Sequence, residues 1–229
     1  ARRALEVAAS GGHHLLLVGP PGCGKTLLAN RLPGLLPDAS EAQALESAVV
    51  ASASGRALDL ARWRRRPFRA PHHTATAVAL VGGGTPPRPG EITLAHRGVL
   101  FLDELCEFRR DALEALRAPL ESGEVSIARA SGQRSMPCRF MLVAAANPCP
   151  CGRGDADPEC SCAPLAVRRY QGRLSGALAD RIDVLAAIRQ PSVEEIGGPP
   201  GESSAAVRER VSLARERQEQ HLLALLGIR

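Results

Sequence analysis

Lysine is all but missing from this chain. Lys25 is the single lysine among 229 residues, so the formal charge of +5 is carried by arginine. Long apolar runs are also missing. None reaches the roughly 18–20 residues that a membrane-spanning helix needs, which excludes a helical span. The start, Ala1-Arg2-Arg3, has neither an apolar stretch nor a cleavage signal, so no secretory leader is expected there. It carries no initiator Met, so the chain is read as a piece of a longer protein. No internal repeat is found. A charge excess this small does not by itself select a nucleic-acid partner, and a coding bias toward Arg and Ala accounts for it.

Apolar runs and breakers set out an alternating pattern. Leu15-Leu16-Leu17-Val18, Val99 to Leu102 and Met141 to Ala146 read as buried strands. Residues 25–32 read as a helix stopped by Pro33-Gly34, and 41–54 as a helix capped by Ser40. Residues 62–98 read as irregular, and 110–121 as one helix with Leu113, Leu116 and Leu120 on a face. Glu124 to Ala128 and Ser135 to Phe140 are expected to pair across Gly132. Residues 174–181 are expected to be helical, 184–188 a strand, 197–202 a linker and 203–222 a charged helix. The alternation predicts an α/β domain, a parallel sheet flanked by helices.

Gly19-Pro20-Pro21-Gly22-Cys23-Gly24-Lys25-Thr26 fits G-x-x-x-x-G-K-[ST] in full, after a strand and before a helix. Glycines there let backbone N–H groups turn inward around phosphate oxygens. Lys25 is placed to reach the β- and γ-phosphates, where a compact ammonium fits and a planar guanidinium does not. The Thr26 hydroxyl is placed to ligate Mg²⁺, and Leu27 follows in the first helical turn. Val99 to Leu102 then lifts Asp103 and Glu104 to the C-terminal edge of the sheet. Asp103 is expected to hold Mg²⁺ and Glu104 to polarise a lytic water. Asn147, at the end of the third strand, can orient that water or simply initiate a turn before Pro148.

Four of the seven cysteines form two C-x-C pairs, Cys149 with Cys151 and Cys160 with Cys162. Residues two apart on a turn can face one ion, and two pairs complete the tetrahedron of a structural Zn²⁺. Cys23, Cys106 and Cys138 read as small buried or loop residues. His72, His73 and His96 read as packing or interface residues, since no fourth partner has metal-ligand spacing. A nucleotide-hydrolysing loop places the chain in the cytoplasm with its thiols reduced.

These features, with Arg66-Pro67-Phe68-Arg69-Ala70-Pro71-His72-His73-Thr74, Pro89 to Gly98, Asn147 to Gly152 and Tyr170 to Gly176, resemble the magnesium-chelatase-like branch of the AAA+ ATPases. Within it the match is to the ComM (YifB-type) family, from about Gly11 to Gln220. The resemblance implies a P-loop NTPase AAA+ core over 1–191, with an insert in its second helix at 74–98, a hairpin at 124–140 and the cysteine loop at 149–162. Residues 192–229 would be a linker and the start of a truncated helical lid. It also implies that Asn147 is the sensor of the γ-phosphate and that Arg181 is an arginine finger reaching a neighbouring subunit's ATP. Without it, Arg181 reads as an ion pair with Asp180 or Asp183. A homohexameric ring follows, with no membrane partner. The family implies a motor on single-stranded or branched DNA, a branch-migration helicase of natural transformation. Arg129, Arg134 and Arg139 on the hairpin suit phosphate contacts. Arg62, Arg64, Arg65, Arg66 and Arg69 around Trp63 and Phe68 suit stacking on single strands or a solvated face. Two alternatives stand beside the motor, an ATPase subunit of a magnesium chelatase and a regulatory ATPase that remodels a protein. The resemblance further implies a preceding Lon-protease-like domain and a sensor arginine in the lid, a role given to neither Arg208 nor Arg210.

Overall fold

The computed structural model describes residues 1–84, 87–129, 132–154, 157–174 and 176–225, leaving out the side chains of 128, 129, 132–134 and 177. The chain opens with α1 (Arg2–Gly11), which buries Leu5, Ala8 and Ala9 at helical spacing. There follow β1 (Leu15–Val18), α2 (Lys25–Arg31) and α3 (Glu41–Ala53). Ser40 caps α3 in a capping box with Gln43. Next come β2 (Phe68–Arg69), α4 (Ala77–Val81), β3 (Gly82–Gly83), β4 (Arg88–Pro89), α5 (Glu91–Leu94) and β5 (Val99–Leu102). The remainder is α6 (Arg110–Glu114), α7 (Arg117–Ser122), β6 (Glu124–Arg129), β7 (Gly132–Pro137), β8 (Met141–Ala146), α8 (Pro164–Gln171), α9 (Gly176–Ala179), β9 (Val184–Ala187), α10 (Val193–Gly197) and α11 (Ser204–Leu225).

Five strands form one parallel sheet in the order β2-β5-β8-β1-β9. Its central strands are apolar at every position because both faces are covered. Leu16, Leu100, Leu102, Leu142 and Ala144 pack into the core on one face. Leu15, Leu17, Val99, Phe101, Met141, Val143 and Ala145 pack into the other. Neighbours in sequence thus serve opposite cores, as the period of two requires.

The structure corrects several expectations. Residues 62–98 are not irregular throughout: they hold the edge strand β2 and the short elements α4 to α5. The helix expected over 110–121 is two, broken at Ala115-Leu116. Pro119 has no N–H to donate to the Ala115 carbonyl and its ring crowds that oxygen. The hairpin pairs Glu124 with Pro137 and Arg129 with Gly132, so Gly132 begins β7, and residues 130–131 lie outside the described residues. The side chains of Arg129 and Arg134 lie outside them too. At the C-terminal end α11 lies along α1. Arg210 pairs with Glu6 at 2.7 Å, Arg215 donates to the Ala9 carbonyl at 2.7 Å, and Val211 is fully buried between them. Among the described residues no helix is long and apolar enough to cross a membrane.

The buried His96 and the half-buried His14 brace the start of β8. His96 Nδ1 accepts the Arg139 N–H at 3.1 Å while its Nε2 lies 3.0 Å from Glu46. His14 Nδ1 accepts the Leu142 N–H at 2.9 Å. A nitrogen that accepts cannot carry a proton, and burial also disfavours the cation, so both are held below the ordinary 6.5. Glu46 is drawn down to about 2, first by Arg97 and then by His96. The unfolded chain therefore binds more protons as pH falls, and stability is lost on acidification. The histidine part is complete above 6.5 and fades below it, and the Glu46 part fades from 4.5 toward 2. The melting temperature is expected to drop between pH 7.5 and pH 5.5. A flat profile over that interval would contradict neutral, hydrogen-bonded histidines.

Candidate nucleotide site

β1, β5 and β8 are neighbours and end at the same edge, which brings three separate loops together. Gly19 continues from β1 and its N–H is bonded to the Ala146 carbonyl at 3.2 Å. A Cβ on Gly19 would stand 2.2 Å from the Ile188 carbonyl oxygen, so only glycine lets the loop leave the sheet here. Gly22 and Gly24 hold φ of 75° and 89°, a left-handed backbone that coils the loop around its own N–H groups.

Lys25 is the first residue of α2 and is buried. Its Nζ donates to Gly19 O at 2.7 Å, Pro20 O at 2.9 Å and Asn147 Oδ1 at 3.1 Å, with Cys23 Sγ at 3.9 Å. Three oxygen acceptors repay the desolvation of the ammonium and fix it at the mouth of the loop. Phosphate oxygens can take over from the two carbonyls without moving the lysine far.

Thr26 donates its hydroxyl to Asp103 Oδ2 at 2.6 Å, and Asp103 Oδ1 accepts the Glu104 N–H at 2.9 Å. The two expected Mg²⁺ ligands are therefore neighbours, and a hydroxyl beside a carboxylate is the hard oxygen set that suits this ion. Glu104 sits at φ 53°, ψ 47°, a left-handed conformation uncommon outside glycine. That backbone turn aims its carboxylate back across the cleft, where Oε2 lies 2.9 Å from His73 Nδ1. Gly22, Lys25, Thr26, Asp103, Glu104 and Asn147 line one cleft of about 350 Å³. A second cavity of about 320 Å³, bounded by His72 and His73, shares Thr26, Asp103 and Glu104 with it.

The structure thus assembles Gly19 to Thr26, Asp103, Glu104 and Asn147. Leu27 contributes backbone alone, since its side chain points to solvent. Arg181 is elsewhere: it forms an ion pair with Glu121, not with Asp180 or Asp183, and does not line the cleft. Asp183 accepts the His14 N–H instead. His73 is the cleft-side residue that sequence reasoning missed, having been read as a packing or interface residue. Its place follows from the parallel pairing of Phe68 with Val99, which carries the segment after β2 to the segment after β5. His96 is a packing residue as expected, and Cys23, Cys106 and Cys138 are buried thiols.

Much of the arginine-rich stretch before and in β2 serves the fold. Arg66 bonds the carbonyls of Pro37 and Arg97, Arg69 makes a two-pronged pair with Glu91, and Arg64 bonds Ala39 O. Phe68 stacks on Phe101 at 6.0 Å, and Trp63 Nε1 donates to Glu41. Both aromatic side chains thus have partners within the protein. The four sulfurs of Cys149, Cys151, Cys160 and Cys162 lie within 4.8 Å of one another. Among the described residues no other set of three or more metal-ligating groups converges in this way.

Comparison with known proteins agrees with this geometry. The family described as magnesium chelatase, subunit ChlI, matches residues 1–196. The protein YifB of Escherichia coli K12 is 52% identical over 219 residues, 95% of this chain and 43% of YifB. Competence protein ComM of Haemophilus influenzae is 52% identical over 221 residues, 95% of this chain and 43% of ComM. The chain spans less than half the length of these relatives. The crystal structure of NtrX from Brucella abortus shares the fold with a TM-score of 0.52 at 17% identity, over 85% of this chain and 36% of NtrX. A crystal structure of NtrX in complex with ADP gives a TM-score of 0.53 at 18% identity, over 86% and 36%. The fold is an α/β P-loop NTPase core, and the chain belongs to the magnesium chelatase subunit ChlI family, alongside the YifB and ComM proteins.

Proposed function

We propose that this chain is the ATP-hydrolysing core of a cytoplasmic ring motor that acts on DNA. The observation that carries the reading is the convergence of Lys25, Thr26, Asp103, Glu104 and Asn147 on one cleft. Lys25 would exchange the Gly19 and Pro20 carbonyls for β- and γ-phosphate oxygens. Mg²⁺ held by Thr26 and Asp103 would supply neutralisation of the phosphate charge. The Glu104 carboxylate would take a proton from water as that water attacks the γ-phosphorus, and ADP would leave with the bridging oxygen. Asn147, already bonded to Lys25, would orient the water and the γ-phosphate together.

These residues form one half of a phosphoryl-transfer site, because none of them neutralises charge on the far side of the γ-phosphate. Arg181, exposed and outside the cleft, is suited to act on a neighbour's nucleotide. On this reading the chain would work as a homohexamer with sites between subunits. The DNA part rests on the 52% identity to competence protein ComM. Arg139, at the foot of the hairpin, makes no side-chain hydrogen bond or ion pair among the described residues. The matched family's description favours a second reading, an ATP-driven subunit of a metal chelatase. Full-length protein is expected to bind a four-way junction and to hydrolyse ATP several-fold faster with it, measured by phosphate release. No binding and no stimulation would remove DNA and leave the chelatase or protein-remodelling readings.

A further inference from the structure

The cysteine loop and the nucleotide cleft are physically joined. Asn147, which accepts from Lys25, is two residues before Cys149, and Cys149 is fully buried. Its Sγ lies 3.3 Å from Cys151 and 3.8 Å from Cys160, with Cys151 and Cys160 3.7 Å apart. Sulfurs at the corners of a tetrahedron around Zn²⁺, with Zn–S of about 2.3 Å, stand about 3.8 Å from one another. All four thiols are free.

The buried sulfur also faces a backbone N–H: Gly154 donates to Cys149 Sγ at 3.2 Å. Such a donor offsets part of the negative charge that four thiolates bring to one ion. Arg153 pairs with Asp157 and Glu159 across the loop, and Gln171 donates to the Pro148 carbonyl at 3.0 Å.

The opposite side of the loop lies against the P-loop. Gly152 holds φ of 86°, and a Cβ there would fall 2.6 Å from Cδ of Pro21 and 4.0 Å from Cγ of Asn147. The chain between the two cysteine pairs is Gly, Arg, Asp, Ala, Pro and Glu, with no large apolar side chain to anchor it. A metal ion is what this geometry provides to hold it in place.

We infer that Cys149, Cys151, Cys160 and Cys162 hold a structural Zn²⁺ whose presence keeps Asn147 and the P-loop in position, so that nucleotide binding depends on the metal. Coordination releases the thiol protons to solvent and changes no oxidation state. The dependence rests on the cleft being an ATP site.

Protein purified under reducing conditions without chelator is expected to contain about one zinc per chain by elemental analysis. Removal of the zinc is expected to weaken binding of a fluorescent ATP analogue at least about tenfold, and returning zinc to restore it. Gly152→Ala keeps all four cysteines and is expected to retain zinc while weakening the analogue, because its Cβ presses on Pro21. This variant carries the test if stripped protein unfolds. Absence of zinc, or iron in its place, overturns the metal assignment. Equal nucleotide affinity with and without zinc, or in Gly152→Ala, overturns the coupling alone. Zinc-loaded protein that binds no nucleotide overturns the ATP reading instead.

Discussion

Glu104→Gln is expected to stop ATP turnover while leaving nucleotide binding intact. The substitution keeps the size and the backbone of a residue already held in a left-handed conformation, and removes only its ability to take a proton. General-base contributions run to about 10²–10⁴-fold, so phosphate release in the assembled protein should fall by at least about two orders of magnitude. Binding should persist, because on the proposed reading Lys25, Thr26 and the loop N–H groups would hold the phosphates and Glu104 would not. The fold should persist too: the carboxylate is about half exposed and its described side-chain partner is His73. Parallel measurement of phosphate release and of analogue binding checks the split. Turnover at the wild-type rate would mean that another group activates the water.

Lys25→Ala is expected to remove binding itself. The ammonium is the one lysine charge in the chain, and Gly19, Pro20 and Asn147 hold it at the loop mouth. Hydrogen bonds to charged groups contribute about 1.5–3 kcal/mol each, so losing two to phosphate should weaken ATP by about 10²-fold or more. The three acceptors left behind border an open cleft where water can replace the lysine, which limits the structural cost to about 1 kcal/mol. A folded variant with no detectable ATP binding is the expected result. Lys25→Arg should not rescue, since a planar guanidinium does not fit between the two phosphates. Nucleotide affinity within a few-fold of wild type in Lys25→Ala would contradict the assignment.

The site was legible where its chemistry is local in sequence. Gly19 to Thr26 carries its own geometry, and the apolar runs before Asp103 and Asn147 announce strands that deliver polar residues to a common edge. The place of His73 beside Glu104 was not legible, because it depends on a two-residue edge strand hidden among Arg and Pro. Nothing local marks Phe68-Arg69 as a strand; it is one because Val99-Leu100 lies beside it. The cysteine spacing suggested a shared ion, but only folded coordinates place Gly152 on Pro21. In the fold, α1 escaped notice because it begins at Ala1 with no capping side chain, although Leu5, Ala8 and Ala9 have helical spacing. The break before Pro119 was readable from proline chemistry alone, and the apolar spacing of Leu113, Leu116 and Leu120 masked it. The role proposed for Arg181 would need a neighbouring subunit, and within one chain it is an ion pair with Glu121.

The most direct test of the nucleotide site is equilibrium titration of the wild-type chain with a non-hydrolysable ATP analogue, with and without Mg²⁺. Saturable binding of one nucleotide per chain, tightened by Mg²⁺ and lost in Lys25→Ala, is the expected result. No saturable binding at millimolar nucleotide, or binding indifferent to both Mg²⁺ and Lys25, would contradict an ATP-Mg²⁺ site between the P-loop and Asp103.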